Sequence, residues 1–260
     1  MSLIFSEHEG HYLTFDETEH VYSLDGEKIP GVTTINHIGF PESPMLSTWK
    51  IKEGSRYTIE QLKQFPQQVN KLPEYLLDEV IKSSSVAHKA AAKEAADIGS
   101  LVHDYAEQWE STGKITDELT EKIKNHEDND KITRCVDKFK AWKDENHDTI
   151  IGHEQILASP TYKYGGKYDR LSKRGNSVVL GDFKTSSGIY TGYFVQLAAY
   201  TILLKEWCDI DVDIIEIIRF GKKKGDFEVE SLKAPKKIEA LKNQFLRNLD
   251  TFHFIKEFKV

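Results

Sequence analysis

Cysteine is scarce in this chain: Cys135 and Cys208 are the only two in 260 residues, and they lie far apart, outside any paired motif. That excludes a disulfide framework, a structural zinc site and a cysteine-held iron–sulfur cluster, so any metal must be held by oxygen and histidine. No apolar run approaches membrane-spanning length, and Met1-Ser-Leu-Ile-Phe-Ser-Glu7 lacks the charged and apolar regions of a signal peptide. A soluble, cytoplasmic protein without a membrane partner is expected. There is no Gly-x-x-x-x-Gly-Lys-Ser/Thr loop, so no ATP-driven motor of that type is encoded. Internal repeats and low-complexity tracts are missing as well.

Ordinary apolar content and ample aromatics allow 260 residues to bury one large core. Net positive charge is also lacking, at −7. Net charge governs long-range attraction, however, and does not describe a local site. From Arg219 to Val260 there are 11 Lys/Arg against 6 Asp/Glu, so the basic residues are concentrated late in a chain that is otherwise acidic.

Along the chain, Leu24-Asp25-Gly26-Glu27 between short alternating segments predicts an N-terminal β-hairpin. Pro30-Gly-Val-Thr-Thr-Ile35 is expected to lead into a loop around Pro41 and Pro44, with Trp49 packing as an anchor. From about Pro73 the pattern turns helical: one helix covers Ser85 to Trp109 with Gly113 as its stop, and a second covers Lys131 to Glu145. After Asp148 the period becomes strand-like. Strands are expected at Thr149–Leu157, Tyr162–Ser172 and Ser177–Lys184, then a helix at Thr191–Trp207. A strand at Val212–Phe220, a basic turn at Lys222–Asp226, a strand at Phe227–Leu232 and a helix opening on Pro235 complete the series. The order implies an α/β fold with a mixed sheet. The segments 1–72, 73–147 and 148–260 read as an N-terminal hairpin and loop region, a helical region and an α/β core of one domain.

The chemistry centres on Gly166-Lys-Tyr-Asp169 and, one strand later, Gly181-Asp182-Phe-Lys184-Thr185. Side chains alternate along a strand, so Asp182 and Lys184 share one face and Phe183 takes the other. If the two strands pair, Asp169 and Asp182 converge. Hard carboxylate oxygens select Mg²⁺ or Mn²⁺, and a neighbouring lysine can orient or deprotonate a water and offset charge on a phosphate. Gly165 and Gly166 let the backbone bend or another segment approach. Gln196 and Tyr200 lie four apart on the following helix and share a face. His103 follows small residues that let its helix come close to the sheet. Tyr190 and Tyr193 are open between stacking on a base and packing in the core.

The ordered set Gly99-Ser-x-x-His103, Glu154, Gly166-x-x-Asp169, Asp182-Phe-Lys184-Thr-Ser and Gln196-x-x-x-Tyr200 resembles the RecB-like branch of the PD-(D/E)xK nuclease superfamily. Pro30 to Ile35 is similar to a Pro-x-Val-Thr-x-Ile segment of phage exonucleases and of the mitochondrial genome maintenance exonuclease. The resemblance implies a restriction-endonuclease-like core and a divalent-metal-dependent DNA exonuclease of phage or of DNA recombination and repair, in the host cytoplasm if phage-encoded. It implies His103, Asp169, Asp182 and the Phe183 carbonyl as ligands to one or two Mg²⁺ or Mn²⁺ ions, with Lys184 as the catalytic lysine. Glu154 matches an acidic position among the catalytic residues whose role varies. Gln196 and Tyr200 contact nucleic acid or brace the site; Thr185, Ser186, Lys222, Lys223 and Lys224 are further candidates for nucleic-acid contact. The acid before the lysine is Asp here, where many relatives carry Glu. The iron–sulfur cysteines of some relatives are missing.

DNA, as single-stranded or duplex ends, is the expected partner; self-association and a replication or recombination protein partner stay open. Two other functions stand beside the exonuclease: a structure-specific endonuclease with the same site, and a non-catalytic nucleic-acid binder on this fold.

Overall fold

The computed structural model describes residues 3–41, 44–65, 73–221 and 225–258. Strands β1 (Leu3–His8), β2 (His11–Asp16), β3 (Val21–Leu24) and β4 (Glu27–Ile29) form an antiparallel sheet in that order. The expected hairpin joins β3 to β4. Asp25 and Gly26 both take positive φ, 54° and 84°, as a two-residue turn of this hand requires. The sheet exceeds a single hairpin because Glu9 and Gly10 make a second such turn (φ 48° and 83°), and Glu-Gly is a weaker turn signal than Asp-Gly.

Helix α1 (Val32–Gly39) forms over the segment expected only to lead into a loop around Pro41 and Pro44. Its β-branched opening is poor in helix propensity, but Val32 and Ile35 are buried, and tertiary packing outweighs propensity. Asn36 Nδ2 donates to the Gly192 carbonyl at 2.9 Å. Gly39 lies so close to Asn248 that a Cβ there would be 2.3 Å from Oδ1.

Helix α2 (Pro44–Lys63) also occupies a stretch expected to be irregular, and Trp49 on it is half-buried. Helix α3 (Glu74–Thr112) starts earlier than Ser85 and stops at Gly113, whose φ is 67°. The chain forms two compact units, Pro41–Ser100 and Met1–Phe40 with Leu101–Val260. Within the first, a Cβ on Gly54 would lie 2.7 Å from the Ser84 carbonyl, so two helical backbones touch there.

Helix α4 (Asp117–Lys124), absent from the sequence expectation, is capped by Thr116, whose side chain accepts from Leu119 N–H. Helix α5 (Asn129–Asn146) buries Ile132, Cys135, Val136 and Phe139 at helical spacing.

The remaining elements are β5 (Thr149–Ser159), β6 (Tyr164–Arg174), β7 (Ser177–Thr185), α6 (Thr191–Cys208), β8 (Ile214–Gly221), β9 (Asp226–Leu232) and α7 (Pro235–Glu257). They follow the expected order, and the five strands form one sheet in sequence order. All neighbours are antiparallel except β7 and β8, whose parallel pairing needs the α6 crossover. Strand β8 is buried along its whole length because both sheet faces are covered. On one face pack α6 and α7, with Val195, Leu203 and Phe245 in the core. On the other, Phe139 of α5 meets Phe183 and Phe220. This is the mixed α/β architecture that the sequence implied.

The glycine pair serves close approach. Gly165 N–H donates to the Pro30 carbonyl at 3.0 Å, and Gly31 bridges Gly165. A Cβ on Gly166 would lie 2.5 Å from the Tyr200 ring. No helix among the described residues is long and apolar enough to cross a membrane.

Candidate active site

The antiparallel ladder of β6 and β7 is paired as far as Arg170 with Gly181. The next pair along is Asp169 and Asp182, and here Phe183 N–H donates to Asp169 Oδ2 at 2.8 Å. One carboxylate therefore reaches across to the neighbouring strand, beside the second. Lys184 follows two residues on, and its Nζ is 2.6 Å from Asp182 Oδ2. Phe183 faces away into the aromatic core, as alternation requires, with its ring edge-on to His103 at 5.4 Å.

Helix α3 brings His103 to the same place. Its Nε2 is 3.4 Å from Asp169 Oδ2 and 3.6 Å from Glu154 Oε1. Glu154 also pairs with Lys167. The backbone at Glu154 is unusual, with φ 49° inside a strand. Non-glycine residues rarely adopt this region, and such strain concentrates at functional sites. Its effect here is visible: His153 and Glu154, adjacent in β5, both reach α3, at Glu110 and His103. Regular alternation would send one of them to the opposite face.

Gln196 and Tyr200 of α6 lie beneath the carboxylates and are buried. Gln196 Nε2 approaches Asp182 Oδ1 at 3.4 Å and donates to Tyr200 Oη at 3.0 Å. Thr185 and Ser186 follow the lysine and are half-buried, whereas Lys222, Lys223 and Lys224 lie outside the described residues.

Burial is the largest influence on His103, Asp169, Asp182 and Lys184 alike, and the crowding of carboxylates with His103 and Lys184 decides the direction in which several of them move. Burial pushes the Asp182 carboxyl up to about 7, with Lys184 opposing and Asp169 reinforcing the shift. Burial acts on Asp169 in the same sense, but His103, Lys184 and the Phe183 N–H together hold it below the usual carboxylate range. Burial disfavours the charged form of His103, yet Asp169, Glu154 and Glu107 raise it to about 9. Lys184 is held protonated, since Asp182 and Asp169 outweigh its desolvation.

These residues fit a hard divalent cation. Asp182 Oδ2 is buried, and the group that faces it is the Lys184 ammonium at 2.6 Å, while Asp169 and His103 lie beside the same strand pair. Buried carboxylate oxygens crowded beside an imidazole are the hard donor set that such an ion takes. Donor atoms of His103, Glu107 and Glu154 also lie within 4.8 Å of one another. Glu107 was not singled out from sequence; its signal was its place one turn beyond His103, on the same helical face.

A second polar cluster, also unforeseen, begins one residue after Asp169. Arg170 is fully buried and donates to Glu110 of α3 at 2.8 Å and to Asp148 at 2.6 Å. Arg174 extends it to Asp148 at 2.7 Å and Glu216 at 3.0 Å, and Lys143 pairs with Glu110 at 3.0 Å. The helix carrying His103 is thereby tied to the strand carrying Asp169.

A family model described as the PD-(D/E)XK nuclease superfamily matches residues 56–250. Among solved structures, a candidate exonuclease from Eubacterium rectale is 10% identical over 63% of this chain and 69% of its own, with a TM-score of 0.41. An alkaline exonuclease from Laribacter hongkongensis, solved in complex with dAMP, is 14% identical over 63% of this chain and 95% of its own, with a TM-score of 0.30. No curated protein matches the chain.

Proposed function

The chain belongs to the PD-(D/E)XK nuclease superfamily, and we propose that it is a divalent-metal-dependent exonuclease that hydrolyses phosphodiester bonds from single-stranded or frayed DNA ends. Residues 1–260 are read as one nuclease domain of the RecB-like branch, acting in phage or in DNA recombination and repair metabolism. The observation that carries the reading is the meeting of Asp169, Asp182 and Lys184 on β6 and β7, with Phe183 N–H closing onto Asp169.

Asp169, Asp182, His103 and the Phe183 carbonyl are the residues that would hold Mg²⁺ or Mn²⁺. When bound, such an ion supplies Lewis acidity toward a phosphoryl oxygen. Lys184 contributes as a fixed ammonium: with its proton held by Asp182 and Asp169, it orients the attacking water and offsets the negative charge that builds on the phosphate. Gln196 holds Asp182 in place, and Tyr200 holds Gln196. Glu154 limits where the His103 ring can point. Thr185, Ser186 and the lysines 222–224 are assigned to phosphate contacts, which position a strand without reading its sequence.

The test uses linear DNA labelled separately at each end, single-stranded and duplex, beside a covalently closed circle, with Mg²⁺ or Mn²⁺. Release of nucleotides or short fragments from linear DNA, with the circle left whole, is the expected result. Cutting of the circle replaces the exonuclease with an endonuclease. If no substrate is cut with any divalent ion, the catalytic reading fails.

A further inference from the structure

The segment between β7 and α6 leads straight out of the catalytic strand, and at its end Tyr190, with Tyr193 in the first turn of α6, is not used by the chemistry above. Lys184 Nζ is 5.3 Å from the centre of the Tyr193 ring. Tyr190 packs edge-on against Tyr193, with centroids 5.5 Å apart. The support beneath Tyr190 is thorough. Tyr193 N–H donates to its carbonyl at 3.0 Å, and its hydroxyl shares a 2.8 Å hydrogen bond with Ser187. Ser186 Oγ donates to the Gly188 carbonyl at 2.8 Å. The Ser186 carbonyl accepts from Arg219 at 3.0 Å, and Arg219 is itself fixed by Asp226 and Glu228. Yet Tyr190 remains 49% exposed.

A ring fixed through its backbone and hydroxyl but open over much of its surface is pre-organised for binding, because little freedom is left to lose. It also borders a cavity of about 520 Å³, within the range of small-ligand sites. Ile189, Phe194 and Leu241 supply apolar walls and Lys237 a cation, while Glu230 offers an acceptor to an amino group. Apolar walls with an aromatic edge and one lysine suit a nucleobase with its phosphate.

We propose that Tyr190, propped by Tyr193, is a stacking platform for an unpaired base of the substrate strand near the bond being cut. The proposal rests on the nuclease reading and deepens it, by giving the preference for single-stranded or frayed ends a named residue that imposes it. A base inside a duplex is already stacked on both faces and paired, so it cannot lie on Tyr190 without being opened first. The platform tolerates any sequence, since every base presents a π-face.

The test has a binding arm and a kinetic arm. A single-stranded oligonucleotide carrying 2-aminopurine at its terminal nucleotides, added without divalent ion, should lose fluorescence on binding the parent protein as the base stacks. Tyr190→Ala should abolish that loss, and Tyr190→Phe, which keeps the ring, should retain it. In the kinetic arm, replacing the terminal bases by abasic residues should raise KM about tenfold for the parent with kcat little changed, within what base–aromatic stacking contributes. Tyr190→Ala should show the raised KM on normal DNA and be indifferent to abasic residues. Equal quenching by the parent and Tyr190→Ala overturns the platform, as does a parent that cuts DNA without distinguishing abasic ends. Quenching that depends on Tyr190 in a protein that cuts no DNA with any divalent ion leaves the platform standing and removes the nuclease reading instead.

Discussion

Around Arg170, three carboxylates (Glu110, Asp148 and Glu216) meet three cations (Arg170, Arg174 and Lys143). One residue earlier on the same strand, Asp169 sits with Asp182, Glu154 and Glu107 about His103, and their basic neighbours are Lys184 and Lys167. The first cluster closes on itself, with three carboxylates matched to three cations and each cation paired. The second keeps a surplus of carboxylates, four against Lys184, Lys167 and the His103 ring. A buried ion network that serves the fold has every reason to be complete, because an unmatched charge is penalised by desolvation. A cluster left incomplete costs stability, and that cost is tolerated where the unmet need is met by ligand.

Breaking the closed cluster should give the largest effect. Glu110→Ala leaves Arg170 buried without its main partner and should lower unfolding free energy by about 3–5 kcal/mol, read from urea denaturation. A loss under 1 kcal/mol would show that the network contributes little. The same cluster sets an acid limit. Burial opposes ionisation of Asp148, but hydrogen bonds from Arg174 and Arg170 outweigh it and hold the carboxyl below its ordinary value. Its stabilisation is therefore complete above the unfolded carboxylate value, about 3.9, and is lost as pH falls through the lower folded value. The urea midpoint should drop across that window, and Asp148→Asn should flatten the drop.

Breaking the open cluster should do the reverse. Asp182→Asn should reduce cleavage of linear DNA by about 10²–10³-fold, in line with loss of a principal electrostatic group. Because it removes a buried carboxylate in a crowd of others, its melting temperature should be unchanged or higher. A matching fall in melting temperature would place Asp182 with the structural network instead.

Gly166→Ala lies where the fold meets the site. The added methyl meets the Tyr200 ring and Val32, so it should cost about 1–3 kcal/mol and also weaken cleavage by displacing the Tyr200–Gln196 brace. Unfolding and cleavage measured on the same preparation separate the two losses. Smallest is Thr116→Ala, remote from both clusters. Loss of its helix cap should cost about 1 kcal/mol, with cleavage per folded molecule unchanged.

What could be read in advance follows the range of the forces involved. Strands β5 to β9 and α6 fell within a few residues of their expected bounds and α7 began at Pro235 as expected, because apolar alternation, a mostly apolar helix and an N-terminal proline are local signals. Helix α2 leaves Ile51 and Ile59 exposed and offers no clear apolar stripe, and α4 is only 8 residues long. Asp182 and Lys184 came from strand alternation, and Asp169 from the expected pairing of its strand with theirs. Arg170 could not be found that way. In sequence it is a charge on a strand, and it is buried only because Glu110 and Asp148 arrive from 60 and 22 residues away. Glu154 gave no warning of its φ, since neither its type nor its neighbours mark a left-handed residue.

The lock between Gly39 and Asn248 bears on when this molecule becomes competent. The C-terminal half of helix α1 meets two distant partners, Gly192, 156 residues beyond Asn36, and Asn248 of the final helix beside Gly39. Contacts of such separation close last, because the loop entropy is lost before they return anything. A chain still emerging during synthesis can pair β6 with β7 and set Asp169 beside Asp182. The Pro30–Gly31 segment against Gly165 and α1 against the closing helix join residues more than 130 positions apart, so loop entropy places them after the local pairing of β6 with β7.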